Sequence, residues 1–161
     1  MKKRFHLLFF IVVAPVLLLG QNTNELSSLT QIRKDIRSKR ISSYDTTGGN
    51  NDRFENIKPG EKRNLFDVRG SGVINHIWIT IAPDPANLRR DDIVLRMFWD
   101  GMTQPSVESP LGSFFGQGWN EAYTMNSLPL IAGPADAKGL VSYFNMPFAK
   151  GARIEIENKE V

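Results

Sequence analysis

Gly72-Val73-Ile74-Asn75-His76-Ile77-Trp78-Ile79-Thr80-Ile81-Ala82 marks the chain as a β protein, because β-branched and aromatic residues recur through it with a period of two. Val73, Ile77, Ile79 and Ile81 are predicted to face one way, and Ile74, His76, Trp78 and Thr80 the other. The first face reads as core. The second sets Trp78 beside His76 and Thr80, a flat apolar ring with hydrogen-bonding neighbours. That is the chemistry of a saccharide platform, of a subunit interface, or of a sheet face covered by a helix or a second sheet. His76 by itself reads as a structural histidine, since no carboxylate stands at an evident pairing distance in the sequence.

Working outward, Pro83-Asp84-Pro85 ends this strand and Ile93–Trp99 forms the next, with Ile93, Leu95, Met97 and Trp99 alternating against Val94, Arg96 and Phe98. Asp100-Gly101 is a hairpin-turn signal. Upstream, Pro59-Gly60 marks a turn, Asn64–Val68 a short strand, and Gly70-Ser71-Gly72 a tight connection. The run Gly112-Ser113-Phe114-Phe115-Gly116-Gln117-Gly118-Trp119 is a glycine-punctuated aromatic loop that either folds over a site or buries itself as a plug; the plug is the default, because paired phenylalanines seldom stay in water. Further strands are predicted at Ser127–Ile131, Leu140–Phe144 and Ala152–Glu157. The expected fold class is therefore mainly β: a jelly-roll-like antiparallel β-sandwich over residues 57–161.

Residues 21–56 precede it as a helix and a polar loop. Leu26, Leu29, Ile32 and Ile36 fall at helical spacing within Asn24–Lys39, with Thr23 or Asn24 as cap, which predicts one short amphipathic helix. Residues 1–20 have the construction of a signal peptide: Lys2, Lys3 and Arg4 lead an apolar stretch from Leu7 to Leu19, with cleavage expected near Gly20-Gln21. A retained membrane anchor is the alternative, although the apolar run is short for a bilayer. The expected location is exported, periplasmic or extracellular, with no membrane association after cleavage.

The 161 residues contain no cysteine, so no disulfide supports the fold, and thiolate-zinc sites and a cysteine nucleophile are excluded. No cofactor is expected and no metal site is assigned. The formal net charge of +3 is accounted for by the three cations of the signal segment, and the neutral remainder gives no reason to expect nucleic acid. The basic cluster from Lys34 to Arg40 reads as solvated charge at a helix C-terminus.

The polar run Ser42-Ser43-Tyr44-Asp45-Thr46-Thr47-Gly48-Gly49-Asn50-Asn51-Asp52 cannot make a core. Gly48 and Gly49 let the backbone turn back and approach a ligand, while Ser43, Asp45 and Asn50 offer short, stiffly tethered groups for hydroxyls. A sugar suits such a loop; an ordinary surface turn has the same composition. Glycoside hydrolysis requires two carboxyl groups about 5 to 9.5 Å apart, according to mechanism. Asp45, Asp52, Asp100, Glu108 and Glu121 are the acids best placed in loops or at strand ends, and no pair among them stands out.

The ordered set of SSYD-TGGN, the Gly72–Ala82 strand, Leu95-Arg96-Met97-Phe98-Trp99-Asp100-Gly101, Pro105–Gly116, Met125–Leu130 and Tyr143–Phe148 resembles glycoside hydrolase family 172, the former domain of unknown function 2961. The resemblance runs from about Ile41 to the last residue, and departs from the family pattern at Ser113, where an acid is expected. It implies a retaining hydrolase or transferase of furanosides, α-fructofuranoside or D-arabinofuranoside glycans, built from two jelly rolls and assembled as a homotrimer or a multiple of it. Against that plan the chain is expected to be the N-terminal part, with the second jelly roll and both catalytic glutamates beyond it, so the catalytic residues stay unknown. The resemblance also implies that Ser43, Tyr44, Asp45, Gly48, Gly49 and Asn50 line a sugar pocket. Tyr44 would pack on the furanose and Asp45 would accept from its hydroxyls. Trp78 and Trp99 are the further substrate-binding candidates. The alternatives are a non-catalytic carbohydrate-binding module, holding its ligand through Trp78, Trp99 or Trp119, and a trimer-forming jelly roll with no ligand.

Overall fold

A computed structural model describes residues 32, 34–81, 89–134 and 137–160. The chain divides into two compact units, residues 1–39 and 40–161. The signal segment and most of the expected helix, residues 24–31 and 33, lie outside the described residues. Of the first unit, residues 34–39 hold a turn at Lys34-Asp35 and then irregular chain, so the expected helix does not run to Lys39.

The second unit is mainly β, with three antiparallel sheets. Strands β1 (Lys62–Arg69), β10 (Gly151–Asn158), β4 (Ile93–Trp99) and β5 (Val107–Pro110) form the first, in that order. A two-stranded sheet pairs β2 (Gly72–Ile74) with β9 (Met146–Phe148). The third runs β3 (Ile77–Thr80), β8 (Gly139–Ser142), β7 (Leu130–Gly133) and β6 (Met125–Asn126). The expected jelly-roll layout is met at the level of antiparallel strands; the sheets are separate and none closes on itself.

The strand Ile93–Trp99 has the predicted ends, with Leu95 and Met97 fully buried on the core side, but Arg96 and Phe98, expected on the outer face, are buried as well. The Gly72–Ala82 stretch is not one strand. Asn75 and His76 belong to neither ladder, and the chain changes sheets there, so each half takes its own register. The phase changes with it: Ile74 is buried and Val73 exposed, the reverse of the expected assignment, while Ile77 and Ile79 are half-buried as expected. The strand predicted at Ser127–Ile131 begins at Leu130 instead, because Ser127 closes the β6–β7 turn. Its hydroxyl lies 2.8 Å from the Leu130 carbonyl and 3.1 Å from the Leu130 N–H.

One apolar cluster joins the sheets: Leu95, Met97 and Ile154 from the first, Ile74 from the second, and Ala132 and Leu140 from the third. The predicted plug is present. A one-turn helix, α1 (Leu111–Phe114), and the following residue place Phe115 in this core with no exposed surface, its ring 5.0 Å from the edge-on ring of Phe114. Gly116 then turns the chain at φ +80, where a methyl group would meet Met125 at 2.5 Å. Trp119, three residues on, is 89% exposed.

Candidate functional site

The loop of residues 43–52 is folded around the Asp45 carboxylate. Oδ1 accepts from the Thr47 N–H at 2.9 Å and the Thr47 hydroxyl at 2.6 Å, and Oδ2 from the Asn51 N–H at 3.3 Å. The Asp45 N–H in turn donates to Asp52 Oδ1 at 2.6 Å, and the Ser43 hydroxyl to the Asp52 carbonyl at 2.9 Å. The two ends of the loop are thereby tied together by side chains. Gly48 has φ +80, and a Cβ at Gly49 would stand 2.5 Å from Asp45 Oδ2, so both glycines are required by the geometry, one for its dihedral and one for its bareness. The Thr47 hydroxyl, then the Thr47 and Asn51 amides, hold the Asp45 carboxyl below the usual carboxylate range, and it stays ionised at neutral pH.

Asp45 is thus first a structural acceptor for its own loop, and Tyr44, 64% exposed, and Asn50 are among the side chains that the closed loop presents outward. Ser43, Tyr44, Asp45, Gly48, Gly49 and Asn50 are brought together in this one turn-rich element. The tryptophans are not part of it. Trp78 lies on the outward side of β3, 63% exposed and opposite Val141 of β8. Nearby, the His76 ring stacks on Tyr143, centroids 5.1 Å apart and planes at 26°. Trp99 packs half-buried against the core, on the side of Leu95 and Met97, so its ring is not presented as that of Trp78 is. Tyr143, the missed member of the aromatic surface, sits just past β8, and its spacing of two from Val141, the partner of Trp78, was the signal that could have found it.

The carboxylates sort themselves by partner. On the face of the first sheet away from the core, Arg96 donates through Nε to Glu108 at 2.7 Å and through Nη1 to Glu157 at 2.5 Å. Lys159 reaches the other Glu157 oxygen at 3.2 Å. Burial pulls Glu157 upward, but the hydrogen bonds from Arg96 and Lys159 outweigh it and hold the group below its ordinary value. The Arg96 hydrogen bond lowers Glu108 likewise, and Glu108 raises Arg96. Two acids bound to one guanidinium are both ionised, which suits neither with the proton a general acid must deliver. Asp100, at φ +55, accepts through Oδ1 from the N–H groups of Ala149 at 2.9 Å, Lys150 at 2.6 Å and Gly151 at 3.3 Å. Glu121 is exposed. Among the described residues no group of three or more His, Asp or Glu is arranged to hold a metal ion, and no helix is long and apolar enough to cross a membrane.

A mainly β domain with a closed polar loop and exposed aromatic rings has surface chemistry of the kind that saccharide binding uses. Residues 50–161 match the family model described as GH172 domain-like, and the chain belongs to glycoside hydrolase family 172. Asn50, Trp78 and Trp99 fall inside the matched region; Ser43, Tyr44, Asp45, Gly48 and Gly49 precede it. No curated protein is similar enough to match.

Proposed function

We propose that this chain is the substrate-gripping part of a retaining glycoside hydrolase acting on α-fructofuranoside or D-arabinofuranoside glycans, and that the catalytic glutamates are not among its described carboxylates. The observation that carries this reading is the side-chain closure of the loop around Asp45, which supports a preformed lip whose ordering is complete before a sugar arrives. Tyr44 offers a ring face to the C–H side of a furanose, and Asn50 offers both a donor and an acceptor to its hydroxyls. Asp45 Oδ2 accepts from the Asn51 N–H and keeps a second lone pair, so a sugar hydroxyl can be added there without breaking the turn. In this reading the three sheets are the first sandwich of a jelly-roll body, exported and working as a homotrimer or a multiple of it.

Calorimetric titration of the full chain with a fructofuranosyl and an arabinofuranosyl oligosaccharide tests the proposal. Tyr44→Ala removes the ring without touching a loop hydrogen bond, and is expected to weaken binding roughly tenfold, the cost of about one stacked ring. Affinity unchanged in both Tyr44→Ala and Asp45→Ala disposes of the loop as a sugar site. A ligand-free assembly unit is the second reading, supported by the exposed Val73, Trp78 and Tyr143. Under it the chain binds neither oligosaccharide, and its sedimentation depends on concentration.

A further inference from the structure

The first sheet carries a second polar feature, on the face turned away from the core. In one cross-strand row Asp67 of β1 stands opposite Arg153 of β10, and Arg153 opposite Phe98 of β4. In the next row Arg69 lies opposite Gly151, whose carbonyl accepts from the Asp100 N–H at 2.8 Å. Gly151 contributes no side chain between Arg69 and Asp100. The gap is a hollow of about 390 Å³, with Phe98 and Arg153 as its wall and the β9–β10 turn at Lys150 as its rim.

The wall is fixed. The Arg153 guanidinium lies 3.7 Å over the Phe98 ring and is paired with Glu155, so it is held flat and neutralised. The polar groups that remain face the hollow unspent. Among the described residues Asp67 and Arg69 make no ion pair and no side-chain hydrogen bond. All three backbone amides that bind Asp100 use Oδ1, which leaves Oδ2 as an acceptor in a fixed place. Arg69, Lys150 and Arg153 balance Asp67, Asp100 and Glu155 in charge. A net anion would meet as much repulsion as attraction. A neutral polyol would find charged donors on one side and charged acceptors on the other, the arrangement that makes the strongest hydrogen bonds to hydroxyls.

We propose that this hollow is a second saccharide-binding site, taking one neutral sugar ring, with Arg69 and Lys150 donating to its hydroxyls and Asp67 and Asp100 Oδ2 accepting from them. Its volume lies at the small end of the range for ligand pockets, which suits a single ring rather than an extended chain. The site shares no residue with the loop around Asp45. It would anchor a polymeric glycan by a unit other than the one gripped there, raising the effective concentration of the rest.

The test is backbone-amide NMR of the full chain titrated separately with a neutral fructo-oligosaccharide, an oligogalacturonate and inorganic phosphate. The neutral oligosaccharide is expected to shift the amides of Gly101, Lys150 and Gly151. Asp67→Asn and Arg69→Gln, both at exposed positions, are each expected to weaken that response about tenfold. Lys62→Ala, at the far end of the same strand, leaves it unchanged. In Asp45→Ala the shifts at Gly101, Lys150 and Gly151 persist while those of the loop change, which separates failure of the loop site from failure of this one. The proposal is overturned if those three amides do not move, if phosphate or oligogalacturonate alone moves them, or if both Asp67→Asn and Arg69→Gln respond as the wild type does.

Discussion

The loop at residues 43–52 and the junction at Asp100 are built with the same device, a carboxylate that gathers backbone N–H groups, yet they hold together very different lengths of chain. Asp45 gathers from residues two and six positions away, so its loop closes without help from the rest of the unit. Asp100 gathers from residues 49 to 51 positions away, and so fastens the end of β4 to the start of β10 across the first sheet. The local closure shapes a surface. The distant one aligns a ladder, and its loss must be felt in the register of the sheet that contains the core.

Leu95→Ala, in the centre of that ladder, is expected to have the largest effect. A fully buried leucine truncated to alanine costs about 2 to 5 kcal/mol, read as a shift in the urea midpoint with an unchanged slope. A cost as small as that of an exposed site would mean that the ladder does not carry the core. Arg96→Ala comes next, because Glu157 is left buried with Lys159 as its remaining cation, and a marked fall in melting temperature is expected. Arg96→Met, which keeps much of the stem, recovers only part of it.

For Asp100→Ala a moderate fall in melting temperature is expected, with faster hydrogen exchange at Ala149, Lys150 and Gly151. Asp45→Ala is expected to leave the melting temperature nearly unchanged and to release protection only at Thr47 and Asn51. Equal global losses in the two variants would break the distinction. Acid should act in the same graded way. Asp45, Asp100, Glu108 and Glu157 are all held below their ordinary values, so the stability they contribute is complete above about pH 5 and is lost as the pH falls below about 4, through their folded values. A melting temperature flat from pH 6 to pH 3 would contradict this; with Asp100→Ala, the slope over that range should be shallower.

How much of this was legible in the chain follows the same division between near and far. Ile93–Trp99 could be read end to end, since its alternation and the Asp100-Gly101 turn are local signals. The polar character of the 43–52 loop was legible too, with its glycines, because every partner of Asp45 lies within it. The break at Asn75-His76 was not, since only two residues separate Ile74 from Ile77 and only the pairing of β2 with β9 and β3 with β8 shows that the strand divides. Nor was the burial of Arg96 and Phe98, whose alternation marked them as outward; their cover comes from Glu157 and Arg153, some sixty residues later. The carboxylate of Asp100 gave no hint of its partners for the same reason.

The three tryptophans occupy three distinct environments: Trp99 against the core, Trp78 on a sheet face, and Trp119 almost wholly in solvent. They equip the molecule with its own optical gauges. A water-borne quencher such as iodide should extinguish Trp119 emission first, a bound aromatic-contacting ligand should alter Trp78, and the red shift of Trp99 should appear only when the whole unit melts.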